Sequence, residues 1–228
     1  MWPNNSFKPK LLRSGNGVAE KACHAVPCAT QFGLTQALAH FEQVCSTTTE
    51  NQERKLKAIL DKYKFDGIWH FTDKSNIEPI VKNNGLHSLG ELQRKGIAIP
   101  APGGNQWSHD ADALKGVQEY VHLAFLDDHP MLYAAKQDGR IKEPVWLKIN
   151  SSILLAPGVK FTKEVSNKAG VQLLTPEEAA QQIDFEVLFT YMDWKDPEVQ
   201  ARRRLALKSE ILVPRHIPLN MILGKKNG

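Results

Sequence analysis

The sequence predicts an α+β fold. Apolar runs of strand length come in clusters, separated by single short helical segments rather than alternating in regular βαβ units. No G-x-G-x-x-G or G-x-x-x-x-G-K-[ST] motif opens a helix after a strand, which argues against the Rossmann and P-loop nucleotide folds. The composition, 42% hydrophobic and 24% charged, is that of a soluble globular protein. A chain of 228 residues can bury a sizeable core, and its organisation reads as an N-terminal arm and helical extension over residues 1–64 followed by a catalytic-sized domain over residues 65–228.

Residues 1–17 carry Pro, Asn, Ser, Gly and Lys with little periodicity and read as an arm. Residues 36–44 read as a helix, Ser46, Thr47, Thr48 and Thr49 break it, and residues 50–64 read as an amphipathic helix with Leu56, Ile59, Leu60 and Tyr63 on one stripe. Cys23, Cys28 and Cys45 are odd in number, and with His24 and His40 they match no standard metal-binding spacing, so no metal is expected. The start of the chain shows no signal-peptide pattern and no apolar run is long enough to cross a bilayer, so a reducing cytoplasm without membrane contact is the expectation.

Residues 67–72 read as a strand containing His70. Ser75 and Glu78 then fit a capping box, opening a short helix over residues 76–84 that stops at Gly85 as a left-handed cap. Residues 89–113 read as irregular, with the breaker-rich stretch 100–110 either a substrate loop in which Trp107 could stack on a base or a mobile surface loop. Next come a strand over 120–125, a helix over 130–136 with Asp128 as its cap, and a strand over 144–149. Thr175 opens a helix to about residue 183, 185–189 reads as another strand, and 220–223 closes the sheet.

Asp196 and Pro197 start a helix that carries Arg202, Arg203 and Arg204, and Ile211, Leu212 and Val213 form an apolar strand behind Glu210. Glu210 therefore stands at a helix-to-strand junction, where rigid elements can hold a carboxylate at a cleft rim beside cations that attract phosphates. A solvated glutamate at a strand end is the bland alternative, and the arginines could equally form a solvated helix face. The net charge of +4 permits nucleic acid partners without requiring them. G-x-S-x-G and H-E-x-x-H are absent.

Trp69-His70-Phe71-Thr72, the helix from Asn76, and Gly85-Leu86-His87-Ser88 resemble the opening block of the ADP-ribosyltransferase fold, specifically of DarT-like DNA-modifying toxins. Val121-His122-Leu123-Ala124-Phe125 leading to Pro130-Met131-Leu132-Tyr133 resembles that family's second block. Lys208-Ser209-Glu210-Ile211-Leu212-Val213 resembles its catalytic strand. The resemblance implies a split, twisted, mainly antiparallel sheet with short flanking helices, NAD bound as a substrate, and transfer of ADP-ribose to a nucleobase, with single-stranded DNA favoured over RNA. It implies Glu210 as the essential acid or base, and His70, Phe71, Thr72, Gly85 and Leu86 as NAD contacts. Tyr120, Phe125 and Tyr133 become candidates to shape the nicotinamide pocket, and Trp107, Arg202, Arg203, Arg204 and Lys208 candidates to hold the nucleic acid. Where the family often carries an arginine after the G-L-x-S turn, this chain has Leu89, and Arg94 five residues on is the substitute cation. A cognate antitoxin is the implied protein partner. Transfer to RNA or protein, and a non-catalytic basic nucleic-acid-binding module, are the alternatives.

Overall fold

The computed structural model describes residues 54–228. The expectations for the arm, the helix over 36–44 and the three cysteines lie outside the described residues. Helix α1 (residues 54–63) places Leu56 fully inside the main core, with Ile59, Leu60 and Tyr63 packed against it. The packed body thus takes in the helix that precedes residue 65.

Strands β1 (Ile68–Asp73), β3 (Tyr120–Ala124), β4 (Pro144–Ile149), β5 (Lys160–Thr162), β6 (Glu210–Pro214) and β8 (Ile222–Asn227) form one antiparallel sheet in the order β5-β6-β3-β1-β4-β8. A separate ribbon pairs β2 (Gly85–His87) with β7 (His216–Pro218). β1 pairs with β4 along its whole length and β3 with β6 along its whole length. Between β1 and β3, however, the register has a single partnership, Trp69 with Ala124. The sheet is split there. His70 bridges the opening, its Nδ1–H donating to the His122 carbonyl at 2.9 Å in place of the missing ladder bond.

Strands β3, β4 and β6 contribute alternate residues to the main core, as period-2 patterning requires. Val121, Leu123 and Phe125 meet Ile211, Val213 and Phe161, while Phe65, Phe125 and Phe185 pack ring against ring. Helices α2 (Ile77–Lys82), α3 (Leu89–Lys95), α4 (Gln106–Lys115), α5 (Pro130–Gln137), α6 (Pro176–Gln182), α7 (Phe185–Phe189) and α8 (Pro197–Ala206) fill the connections.

Several local expectations are corrected. Residues 185–189 are α7, not a strand: a five-residue apolar run fits either period, and the Asp184 side chain, accepting from Val187 N at 3.2 Å, caps it as a helix. Residues 89–113 are not irregular. Ser88 and Asn105 cap α3 and α4 from in front, and Gly96 and Gly116 close them in the left-handed region at φ 62° and 71°. Both helices are too polar to show an apolar stripe. Ser75 does not form a capping box; Asp73 caps a short 3-10 turn instead. Asn84, at φ 59°, is the left-handed residue that ends the α2 segment, and Gly85 at φ 133° already begins β2. His129 rather than Asp128 caps α5, accepting from Met131 N.

Candidate active site

Helix α8 ends at Ala206, and a short turn then delivers Glu210 as the first residue of β6, between Ala124 of β3 and Thr162 of β5. A carboxylate at the start of a central strand is held by ladders on both sides. Its side chain is 8% exposed. Oε2 accepts from Ser166 N–H at 3.1 Å and lies 3.2 Å from His122 Nδ1.

His122 is the second member of the site. Its Nε2 lies 3.3 Å from the Val117 carbonyl, which can only accept, so Nε2 carries a proton. Its Nδ1 faces the Glu210 carboxylate, also an acceptor, so the protonated ring satisfies both partners. Burial works against that charge, but the Glu210 carboxylate outweighs it and holds the His122 pKa above its ordinary value. For Glu210, burial favours the neutral acid, and the hydrogen bond and charge of His122 overcome it, so the pKa is lowered and the group is a carboxylate. Ser166 Oγ stands 3.2 Å from the same Nδ1.

Two further histidines are neutral. Burial pushes His70 down to about 4, and since its Nδ1–H is committed to the His122 carbonyl, Nε2 is an open acceptor. Burial also lowers His129, whose Nδ1 accepts from Met131 N. Its Nε2–H has no hydrogen-bond partner among the described residues and lies 3.9 Å from Glu210 Oε1. Asp112 of α4 faces His122 and Glu210, and burial raises its pKa.

Glu210, His122, His70, Asp112 and Ser166 line a cavity of about 240 Å³ at the split in the sheet. His70, Phe71, Thr72, Gly85, Leu86, Tyr120 and Glu210, all named from the sequence, line it. Asn76 pins the loop above it, its amide bonding both ways with Ala101 at 2.6 and 3.0 Å. The described wall contains no lysine or arginine; its histidines are His70, His87, His109 and His122, and its carboxylates Asp112 and Glu210.

The other sequence candidates lie elsewhere. Phe125 is 2% exposed among core aromatics. Tyr133 and Trp107 are exposed, each beside a lining residue of its own helix, Met131 and Ser108 respectively. Arg94 is held by Glu119 at 2.7 Å and Glu91 at 2.9 Å, outside the cavity wall, where two carboxylates already neutralise it. Arg202 pairs with Asp184 and Glu186, Arg203 lies over the Trp194 ring, and Lys208 lies 3.5 Å from Glu164. Arg204 is exposed and has no ion pair among the described residues. Sequence reasoning missed His122, His129, Asp112 and Ser166 as site residues. The alternation of residues 120–125 already placed Tyr120 and His122 on the face opposite Val121, Leu123 and Phe125, a signal for His122. Ser166 acts through its backbone N–H from a distant loop and leaves no such trace.

A family model described as ssDNA thymidine ADP-ribosyltransferase, DarT, matches residues 69–224. The chain belongs to the DarT family. Among solved structures it is similar to Thermus sp. 2.9 DarT in complex with ADP-ribosylated ssDNA, at 17% identity and a TM-score of 0.53, over 70% of this chain and 79% of that one. It is also similar to Thermosipho africanus DarTG in complex with ADP-ribose, at 18% identity and a TM-score of 0.52, over 71% of this chain but only 43% of that one. At these identities the likeness establishes the DarT fold, with the split sheet that the resemblance implied. A search of curated proteins found no match. As a DarT domain, the chain is an ADP-ribosyltransferase of the kind that modifies thymidine in single-stranded DNA.

Proposed function

We propose that the cavity at the sheet split binds NAD as the ADP-ribose donor and that Glu210 drives transfer of ADP-ribose to a thymine of single-stranded DNA presented at its mouth. The observation that carries this reading is the buried Glu210 carboxylate facing a cavity that also holds a neutral, hydrogen-bond-accepting His70. A carboxylate kept ionised in a low-dielectric wall stabilises positive charge as it develops on the ribose C1′ while the bond to nicotinamide breaks. It can also accept the proton of the attacking base nitrogen. His70 Nε2 suits a ribose hydroxyl, and Tyr120 and Phe71 give the wall apolar surface for a ring. With no lysine or arginine in the described wall, Ser88, Ser108, Asn167 and His109 are among the polar groups that can meet phosphate oxygens.

Trp107 and Tyr133, exposed on helices that line the cavity, supply stacking surfaces for bases flanking the target, and Arg204 supplies a cation free to meet the phosphate backbone. In this reading the catalytic unit begins upstream of residue 65 because α1 completes its core, and the protein works as a cytoplasmic toxin, of a toxin–antitoxin or phage-defence system, controlled by a cognate antitoxin. DNA is favoured over RNA because the matched family model is one of DNA-modifying enzymes. Incubation with labelled NAD and four oligonucleotides tests it: single-stranded DNA with thymidine, the same strand with every thymidine replaced, its duplex, and the RNA equivalent. Label on the thymidine-containing single strand alone is expected. Label on RNA, or on the strand lacking thymidine, would overturn the substrate assignment.

A further inference from the structure

Nδ1 of His122 has two neighbours of different character at the same distance. Glu210 Oε2, at 3.2 Å, is a carboxylate oxygen and accepts only; Ser166 Oγ, also at 3.2 Å, is a hydroxyl that can accept or donate. Nε2 is fixed by the Val117 carbonyl in either state of the ring. The protonated ring is therefore satisfied by Glu210, and the neutral ring by the Ser166 hydroxyl turned toward it. Ser166 also anchors the carboxylate through its backbone N–H at 3.1 Å, so Glu210 need not move when His122 changes state. About a third of the His122 side chain is open to the cavity, which gives its proton a way out.

We propose that His122 is the positioning residue through which Glu210 hands on the acceptor's proton, its Nδ1 alternating between the Glu210 carboxylate and the Ser166 hydroxyl. The inference rests on the reading of Glu210 as the group that receives that proton. In the step, the ribose C1′–nicotinamide nitrogen bond breaks and its electron pair leaves with neutral nicotinamide. The lone pair of the base nitrogen forms the new bond to C1′, and the N–H proton it sheds passes to Glu210. Glu210 donates it to Nδ1 of neutral His122, and the imidazolium releases it to water through the cavity. The reactive enzyme therefore starts with His122 neutral, because a carboxylate already bonded to an imidazolium is a poorer base.

The charged and titratable groups facing His122 are Glu210 of β6, Asp112 of α4, His70 of β1 and His129 at the start of α5. The two carboxylates raise the His122 midpoint and the two histidines lower it if charged. His70 and His129 are held neutral by burial, so the carboxylates prevail over the pH range of the assay. With the midpoint above 6.5, transfer should rise with pH through that midpoint, by about tenfold per unit on the acid side.

Two measurements on the full chain test the relay. The first is the pH profile of single-turnover transfer from NAD to a thymidine-containing single strand by the wild type and His122→Asn, whose amide occupies the Nδ1 position without titrating. The acid limb above pH 6 should disappear in the variant, even though its absolute rate falls. The second is histidine nitrogen-15 NMR on the wild type and Glu210→Gln, which needs neither activity nor a folded His122 variant. The His122 midpoint should lie above 6.5 and drop in Glu210→Gln. Transfer with the same acid limb in His122→Asn, or a His122 midpoint unmoved by Glu210→Gln, would overturn the relay alone. A folded wild type that transfers nothing at any pH would overturn the functional reading beneath it.

Discussion

His70 carries two duties that one pair of substitutions can separate. Its Nδ1–H spans the sheet split to the His122 carbonyl, and its Nε2 is the open acceptor that the proposed function assigns to the ligand. In His70→Asn the amide nitrogen takes the Nδ1 position and keeps the strut, while Nε2 is lost. In His70→Phe both are lost, and a part-buried carbonyl is left without its partner. An unpaired buried carbonyl costs about 1–3 kcal/mol, which for a body of this size lowers Tm by about 2–12 °C. Loss of one neutral hydrogen bond to a ribose hydroxyl costs about 0.5–1.5 kcal/mol, about two- to twelvefold in Kd. Thermal unfolding and calorimetric titration with NAD read the two effects independently. His70→Asn should unfold near the wild-type temperature yet bind NAD more weakly, and His70→Phe should lose on both. Wild-type NAD affinity in His70→Asn would refute the assignment of Nε2 to the ligand.

Three other outcomes follow from the same geometry. Asp73 accepts from Ser75 N and Oγ and from Lys142 N and Glu143 N at 2.7–2.9 Å, and those backbone donors, Glu143 first, hold its carboxyl well below the ordinary range; Asp73→Asn should cost about 1.5–3 kcal/mol in denaturant unfolding, and an unchanged midpoint would count against it. Gly85→Ala would put a Cβ 2.1 Å from the Ile217 carbonyl at φ 133°, so the β2–β7 ribbon should open and become protease-sensitive, whereas wild-type resistance would contradict the register. The His122–Glu210 pair should stabilise the fold most between about pH 4.5 and 6.5, because the raised His122 loses its contribution as pH rises through its midpoint and the lowered Glu210 loses its own as pH falls through its midpoint. The Tm gap between wild type and Glu210→Gln should therefore be widest in that window, and a gap flat with pH would exclude the ion pair.

The strands that build the site were legible because each is an apolar run bounded by turn residues: β1 after Gly67, β3 before the α5 helix, and β6 between a basic helix and Pro214. Glu210 and His70 were legible as polar residues inserted in such runs. Helices α3 and α4 were not, since polar helices are defined by their caps, and Ser88 and Asn105 also read as turn residues. Arg94 illustrates the limit of replacing a missing cation by sequence proximity. It lies on α3 within reach of Glu119, a partner 25 residues away that only the fold brings near. The titratable partner beside Glu210 is instead His122, whose pKa is raised by a carboxylate 88 positions later in the chain.

The central claim is that the buried Glu210 carboxylate drives transfer of ADP-ribose from NAD to thymidine. Mass spectrometry of a short single-stranded oligonucleotide bearing one thymidine, after incubation with NAD and either wild-type protein or Glu210→Gln, tests it most directly. The wild type should add the mass of one ADP-ribosyl group to the thymidine, and a folded, NAD-binding Glu210→Gln should do so at a rate at least about a hundredfold lower. Equal modification by both proteins would contradict it.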